Sequence, residues 1–324
     1  MKSEDVKFME RAIELAWKSA GHTRPNPPVG AVVVNDGVII GEGRHKRAGE
    51  DHAEVAALKS CKVSPRGATL YVTLEPCSRP GRVGACCDAI VVSGVARVVW
   101  ACRDPNPKNS GRAARILRAA GIETAAGLCR DEAAPLIAPF AKHVATGLPF
   151  VTVKLAMSLD GRICDADGTS RWISSKASLA RTARLRERVD AVMVGGETVR
   201  KDDPSLLCHT KRNDDLWRAV VSASGKLPKK ARIFTDEARE RTLVYRSPRE
   251  ALEDIGRRGF MHVLCEGGLS LARSLADEGL VNEWITVLAP ISIGNRPLAE
   301  ARRFAFAECS PSGPDIFAAA NLEA

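Results

Sequence analysis

The sequence predicts an α/β protein of two layered domains, on three observations. Its 324 residues are long for one domain and comfortable for two, each able to bury its own core. Strand-like and helix-like runs alternate along most of the chain, the pattern of helices covering a sheet. Thr146-Gly147-Leu148-Pro149 reads as a joint between the halves and sets domains of residues 1–147 and 148–324.

In the first half, Val6, Met9, Ala12-Ile13 and Ala16-Trp17 recur at helical spacing, with Ser3 placed as an N-cap and Gly21 as the stop. Pro25-Asn26-Pro27-Pro28 is a rigid connector into a strand, Val29–Val34. Asn35-Asp36-Gly37 is a hairpin turn that returns the chain as Val38–Gly41. A polar loop with His45 reaches Asp51, placed to cap a helix His52–Ser60. The strand Ala68–Leu74 follows, then a helix Cys86–Ser93, a strand Arg97–Ala101 and a helix Gly111–Ala120. A short strand, Ile122–Ala126, and a helix from Asp131 to about Ala145 complete this half.

The second half opens with the strand Phe150–Leu155 and the loop Ser158–Arg162. Trp172-Ile173-Ser174-Ser175 leads into a helix of alternating Arg and apolar residues that runs to Val189. Ala191–Val194 is a buried strand ending in Gly195-Gly196, followed by Thr198 and a loop Lys201–Pro204. Further strands are expected at Ala219–Ser222, Ile233–Thr235, Thr242–Tyr245, Met261–Cys265 and Trp284–Leu288, with a helix Leu269–Asp277 after Glu266-Gly267-Gly268. Beyond Ala301 no periodicity emerges.

Composition narrows the function classes. The acidic, helix-like N-terminus lacks a basic-then-apolar export pattern, and no apolar run approaches the eighteen or so residues of a membrane span. Ten cysteines without export point to a reducing cytoplasm, where they bind metal or stay as thiols. The net charge of +9 is spread, with 21 basic and 15 acidic residues up to Leu148, so no basic arm exists. Aromatic residues are scarce, which weakens a base-stacking, nucleic-acid-binding reading. A diffuse positive balance suits a small phosphorylated substrate.

The stretch that carries chemistry is His52-Ala53-Glu54, then Glu75-Pro76-Cys77, then Cys86-Cys87 nine residues on. One imidazole and two thiolates fill three corners of a zinc tetrahedron and leave the fourth for water, the arrangement of a catalytic site. Glu54, two residues from His52, is placed to sit beside the metal without ligating it and to move protons. His-x-Glu with Pro-Cys and a further Cys is the signature of zinc nucleobase deaminases, here with a longer step between the cysteines. The alternative is that His52 caps a helix and the cysteines are small buried hydrophobes. The order of the residues, separated by a helix-like and a strand-like segment, favours zinc. The two Gly-Gly strand-to-helix junctions would let backbone N–H groups approach a dinucleotide phosphate, or are close-packing devices; neither is G-x-G-x-x-G.

These residues resemble the bifunctional deaminase–reductases of riboflavin biosynthesis, over nearly the whole chain and thinning after about Ala301. The matching motifs are Pro25-Asn26-Pro27, Val29-Gly30-Ala31, Gly41-Glu42-Gly43, His52-Ala53-Glu54, Thr73–Ser78 and Asp104–Pro107 in the first half. In the second they are Lys154-Leu155-Ala156, Ser158–Arg162, Trp172-Ile173, Thr198-Val199, Asp202-Asp203-Pro204 and Glu266-Gly267-Gly268. The resemblance implies a cytidine-deaminase-like zinc domain followed by a dihydrofolate-reductase-like domain that uses NADPH.

It assigns Zn2+ to His52, Cys77 and Cys86 and proton transfer to Glu54, with Cys87 structural. It turns Asn26, His45, Arg79 and Arg82 toward the pyrimidine substrate. In the second domain Ala156, Trp172, Thr198, Asp202, Ser224 and Gly268 would face the cofactor, and Ser170, Leu206, His209 and Glu266 the substrate, with Asp202 also orienting the reacting centre. A phosphorylated pyrimidine substrate, a homodimer through the C-terminal domains and cytoplasmic residence follow from the same likeness. Arg79-Pro80 stands where the family commonly has a His after Cys-Ser, and Val83-Gly84-Ala85 where Thr-Pro-Pro is usual. His209 replaces a common Arg and Ala223 a common Asp; neutral His is the weaker phosphate ligand. Two other readings stay open: a deaminase whose C-terminal half is an inactive scaffold or acts on a different substrate, and a nucleic-acid-binding or base-editing module. For Asp202 alone, pairing with Lys201 as a polar loop residue is the alternative.

Overall fold

A computed structural model describes residues 3–79, 84–168, 173–208, 215–295, 297–312 and 315–322. The chain divides into two compact units. The first is Met1–Phe150 with Arg188–Asp190 and Glu253–His262; the second is Val151–Glu187, Ala191–Leu252 and Val263–Ala324.

The first unit runs α1 (Ser3–Trp17), β1 (Gly30–Asn35), β2 (Val38–Arg44), α2 (Ala53–Lys59), β3 (Thr69–Leu74), α3 (Cys86–Ser93), β4 (Arg97–Cys102), α4 (Arg112–Ala119), β5 (Glu123–Ala126) and α5 (Arg130–Thr146). The sheet order is β2-β1-β3-β4-β5. β1 pairs antiparallel with β2 and β3, whereas β3–β4 and β4–β5 are parallel. Asp36 (φ 48°) and Gly37 (φ 76°) are both left-handed, as a two-residue hairpin requires, and Asn35 pairs with Val38. Met9, Ala12 and Ala16 of α1, Val32 and Val33 of β1, Leu70 and Val72 of β3 and Ile90 of α3 share one buried core. Gly43 is what lets α2 lie on β2. A Cβ there would run into the backbone of Ala53 and Ala57, displacing the helix behind His52.

The rest of the chain runs β6 (Phe150–Ser158), α6 (Lys176–Arg186), β7 (Ala191–Gly195), α7 (Gly196–Asp202), β8 (Trp217–Val221), α8 (Arg232–Thr235), β9 (Thr242–Tyr245), α9 (Pro248–Arg257), β10 (His262–Cys265), α10 (Leu269–Asp277), β11 (Glu283–Ala289), β12 (Ile291–Ser292), β13 (Arg302–Ser312) and β14 (Asp315–Leu322). The large sheet is ordered β11-β6-β10-β7-β8-β9. The pairs β11–β6, β10–β7, β7–β8 and β8–β9 are parallel. Continuous apolar strands such as Ala191–Val194, buried throughout, fit a sheet covered on both faces.

Four local expectations are corrected. Ile233–Thr235 forms helix α8, not a strand, because the Asp203 carboxylate accepts the Arg232 N–H at 2.7 Å and Thr235 Oγ bonds back to the Ala231 carbonyl. Lys201 and Asp202 close helix α7 instead of forming a loop. Helix α9 was not anticipated. The tail after Ala301 is a long hairpin, β13–β14, whose register shifts between Phe306 and Glu308 and so breaks the alternation that would reveal it.

Candidate deaminase metal centre and reductase cleft

Three elements deliver the triad. His52 sits at the N-cap of α2 without capping it, Cys77 follows β3, and Cys86 is the first residue of α3. His52 Nδ1 lies 3.1 Å from Cys86 Sγ and 3.5 Å from Cys77 Sγ. All three donor atoms fall within 4.8 Å of one another. Metal–ligand bonds of about 2.0–2.3 Å at tetrahedral angles place donors roughly 3.5–3.8 Å apart, so this set fits zinc with little adjustment. The backbone N–H of Cys86 donates to Cys77 Sγ at 3.2 Å. Hydrogen bonds from the Cys86 thiol and from His52 hold Cys77 down to about 4, while the same Cys86–Cys77 bond and burial push the Cys86 thiol up.

Glu54, in the first turn of α2, is 4% exposed and contacts Cys86 without joining the converging donors. Burial, and then the charge of Cys77, pushes its carboxyl up to about 7. Beside it His45 is buried, its ring edge-on to His52 at 5.2 Å between centroids. His45 Nδ1 is 3.1 Å from the Asp51 carbonyl and Nε2 is 3.1 Å from Asn26 Nδ2. A carbonyl only accepts, so Nδ1 carries the proton and Nε2 accepts from Asn26. Burial lowers the His45 pKa, in keeping with this neutral form. Arg79 is exposed on the loop after Cys77, and Arg82 lies outside the described residues.

In the other unit the expected residues follow the ends of parallel strands, where open α/β sheets bind ligands. Thr198 and Asp202 are half-buried on α7 after β7, Ser224 is exposed after β8, and Glu266 and Gly268 follow β10, Gly268 as the N-cap of α10. Ala156 is half-buried late in β6. Phe150 N–H bonds the Met261 carbonyl at the start of β6 and β10, and Lys154 feels the charge of Glu266 past the end of β10, so the two strands run the same way. Leu206 is buried with φ 58°. Ser170, Trp172 and His209 lie outside the described residues.

Sequence reasoning missed Arg186, which grips Glu266 through two bonds of 2.6 and 2.9 Å. Nothing separates it from the other arginines of α6 except its half-buried position. Glu75 was likewise read only as part of a motif. It is buried and accepts the N–H groups of Asp104, Gly111 and Ala113, tying the β4–α4 loop to the segment that carries Cys77.

Two family models match the chain. Residues 149–316 match the RibD C-terminal domain, and residues 2–102 match the cytidine and deoxycytidylate deaminase zinc-binding region. The riboflavin biosynthesis protein RibD of Escherichia coli is 36% identical, across 97% of this chain and 98% of its own. That of Mycobacterium tuberculosis is 38% identical across 98% of each. Among solved structures, Acinetobacter baumannii RibD shares 35% identity with a TM-score of 0.81 over 99% of both chains. A diaminohydroxyphosphoribosylaminopyrimidine deaminase/5-amino-6-(5-phosphoribosylamino)uracil reductase from Thermotoga maritima shares 33% with a TM-score of 0.84, over 98% of this chain and 99% of its own. Likeness at this level along the full length of both chains leaves one assignment: the chain belongs to the RibD family of riboflavin-biosynthesis enzymes, which join a deaminase to a reductase.

Proposed function

We propose that the chain removes an amino group from 2,5-diamino-6-(5-phosphoribosylamino)pyrimidin-4-one by hydrolysis and then reduces the ribosyl chain to ribityl with NADPH. The observation that carries this reading is a fully enclosed carboxyl, Glu54, beside three converging nitrogen and sulfur donors. Zinc bound by His52, Cys77 and Cys86 would supply an acidified water. Glu54 holds and moves the proton: a carboxyl poised near neutrality both accepts from a water and gives to a leaving amine. His45 fixes the Asn26 amide, leaving the Asn26 oxygen as the acceptor this pair offers to a pyrimidine amino group. Arg79 and Arg82 stand for the oxygens of the substrate.

In the reductase half, NADPH supplies the hydride when bound. Ala156, Trp172, Thr198, Asp202, Ser224 and Gly268 would hold it, and Ser170, Leu206, His209 and Glu266 the deaminated intermediate. Arg186 grips Glu266 through two charge-assisted bonds and aims it. Asp202 orients the reacting carbon.

The same reading takes residues 1–147 as the deaminase domain and 148–324 as the reductase. It makes the protein a cytoplasmic homodimer acting on a free nucleotide and not on nucleic acid. The ten cysteines form no disulfide in the structure, as a reducing compartment would keep them. No helix of the described residues is long and apolar enough to cross a membrane.

The test is an assay of purified full-length protein with the phosphoribosylamino-pyrimidine, following ammonia and NADPH separately. Ammonia release followed by NADPH oxidation is expected. Ammonia without NADPH consumption would leave a deaminase alone, and neither signal would remove the reading.

A further inference from the structure

The loop that carries Cys77 is gripped by a side chain outside the triad, Asn109, which is 7% exposed in the β4–α4 loop. Its Oδ1 accepts from the Ser78 backbone N–H and from the Ser78 hydroxyl, each at 2.6 Å. Its Nδ2 donates to the Asp104 carboxylate at 2.8 Å and to the Pro76 carbonyl at 3.4 Å. A backbone N–H only donates and a carbonyl only accepts, so the partners fix which end of the amide is which. Both acceptor positions and both N–H donors are thereby used.

Pro76 and Ser78 flank Cys77, so one amide holds the chain on both sides of a metal ligand. The grip is itself anchored. Asp104 accepts the Asn106 N–H at 2.8 Å, and Glu75 accepts the Asp104 and Gly111 N–H groups at 3.3 and 3.1 Å. The β4–α4 loop is thus a rigid template laid against the segment Glu75–Ser78.

We propose that Asn109 is a positioning residue for the metal centre: through Pro76 and Ser78 it fixes where Cys77 Sγ stands relative to His52 and Cys86. The inference rests on reading that triad as a zinc site. Cys77 lies outside regular secondary structure, unlike His52 and Cys86 at the ends of α2 and α3. The first turn of α3 reaches it through the Cys86 and Cys87 N–H groups, and Asn109 holds its two neighbours. A donor on an unheld loop must be ordered when the metal binds, and that ordering weakens affinity.

In full-length protein, Asn109→Ala is expected to weaken zinc binding about 10- to 100-fold, read by competition with a chromophoric chelator. The absorption spectrum of the cobalt(II)-loaded variant should also change shape, because it reports ligand geometry. Ser78→Ala should weaken zinc less, and Ser78→Thr, which keeps the hydroxyl, should restore it. Equal zinc affinity in wild type and Asn109→Ala overturns the proposal. A weaker affinity with an unaltered cobalt spectrum also overturns it, since it marks general destabilisation. If Asn109→Ala does not fold, Ser78→Ala decides: affinity equal to wild type is the overturning result. Wild-type protein that takes up no zinc removes the triad reading itself, a failure visible before any variant is made.

Discussion

In the first unit the reacting groups come from a short span, with His52 and Cys86 only 34 residues apart, and they touch one another. Their supports are bonded in turn, from His45 and Asn26 to Glu75 and Asn109. In the second, the expected residues that the structure describes run from Ala156 to Gly268 and are spread over several strand ends, with Thr198 and Asp202 after β7, Ser224 after β8, and Glu266 and Gly268 after β10. The two chemistries explain the contrast. A metal demands donors set to within a fraction of an ångström, so the fold places them at helix starts and saturates the loop between. A dinucleotide cleft spreads its affinity over many contacts, so individual positions tolerate change. The triad itself is intact, and departures from common family residues fall in both halves, at Arg79 and Val83–Ala85 in the first and at His209 and Ala223 in the second.

The largest expected effect tests the concentrated site. Glu54→Gln should lower deamination by about 10²–10⁴-fold or more while zinc content and NADPH oxidation of the deaminated intermediate stay at wild-type values. Appreciable deamination by this variant would remove the proton-transfer role.

Next comes the support of the cleft. Arg218, fully buried on β8, spends all five N–H donors on Thr242, the Ser205 and Ile233 carbonyls and both oxygens of Asp236. Arg218→Met strips the half-buried Asp236 carboxylate of its ion pair, leaving it the Ala238 N–H, and takes a donor from the Ser205 and Ile233 carbonyls. It should cost about 3–5 kcal/mol, measured by denaturant unfolding. The bond from Arg218 holds the Asp236 pKa below the usual carboxylate value. Its contribution is therefore present above about pH 4 and lost as pH falls through the lower folded value. The stability gap between wild type and variant should narrow in acid; a gap that widens would contradict the pairing.

Asp202→Asn sharpens the distributed side of the comparison. NADPH oxidation should drop by about 10²-fold with ammonia release intact, and unchanged oxidation would return Asp202 to a surface helix-end role. The smallest effect is steric. Gly43→Ala should destabilise the first unit by about 1–3 kcal/mol and loosen zinc retention, because the added methyl pushes α2 and its His52 away from β2. A variant with wild-type melting and zinc content would show that α2 shifts freely.

The motif residues were legible because their signals are local. His52-x-Glu54, Pro76-Cys77 and Cys86 keep an order that few other chemistries use, and Asn35-Asp36-Gly37 fixes its hairpin through two left-handed residues. Most strand and helix runs were equally readable, although α9, with Ala251, Leu252 and Ile255 on its buried face, was missed. The other misses have separate causes. Ile233–Thr235 became a helix because Asp203 reaches it, and β13–β14 escaped notice because a bulge breaks its period.

The sequence alone determined the two-layered α/β organisation, the nitrogen and sulfur donors and the acid beside them, since composition, periodicity and short spacings encode these directly. Only the tertiary structure decided that the Cys86 N–H reaches Cys77 Sγ, that Arg186 holds Glu266 and that Asn109 clamps the ligand loop. Those roles arise from hydrogen bonds across 9 to 80 residues of chain, and a hydrogen bond depends on distance in space, which the order of residues does not record.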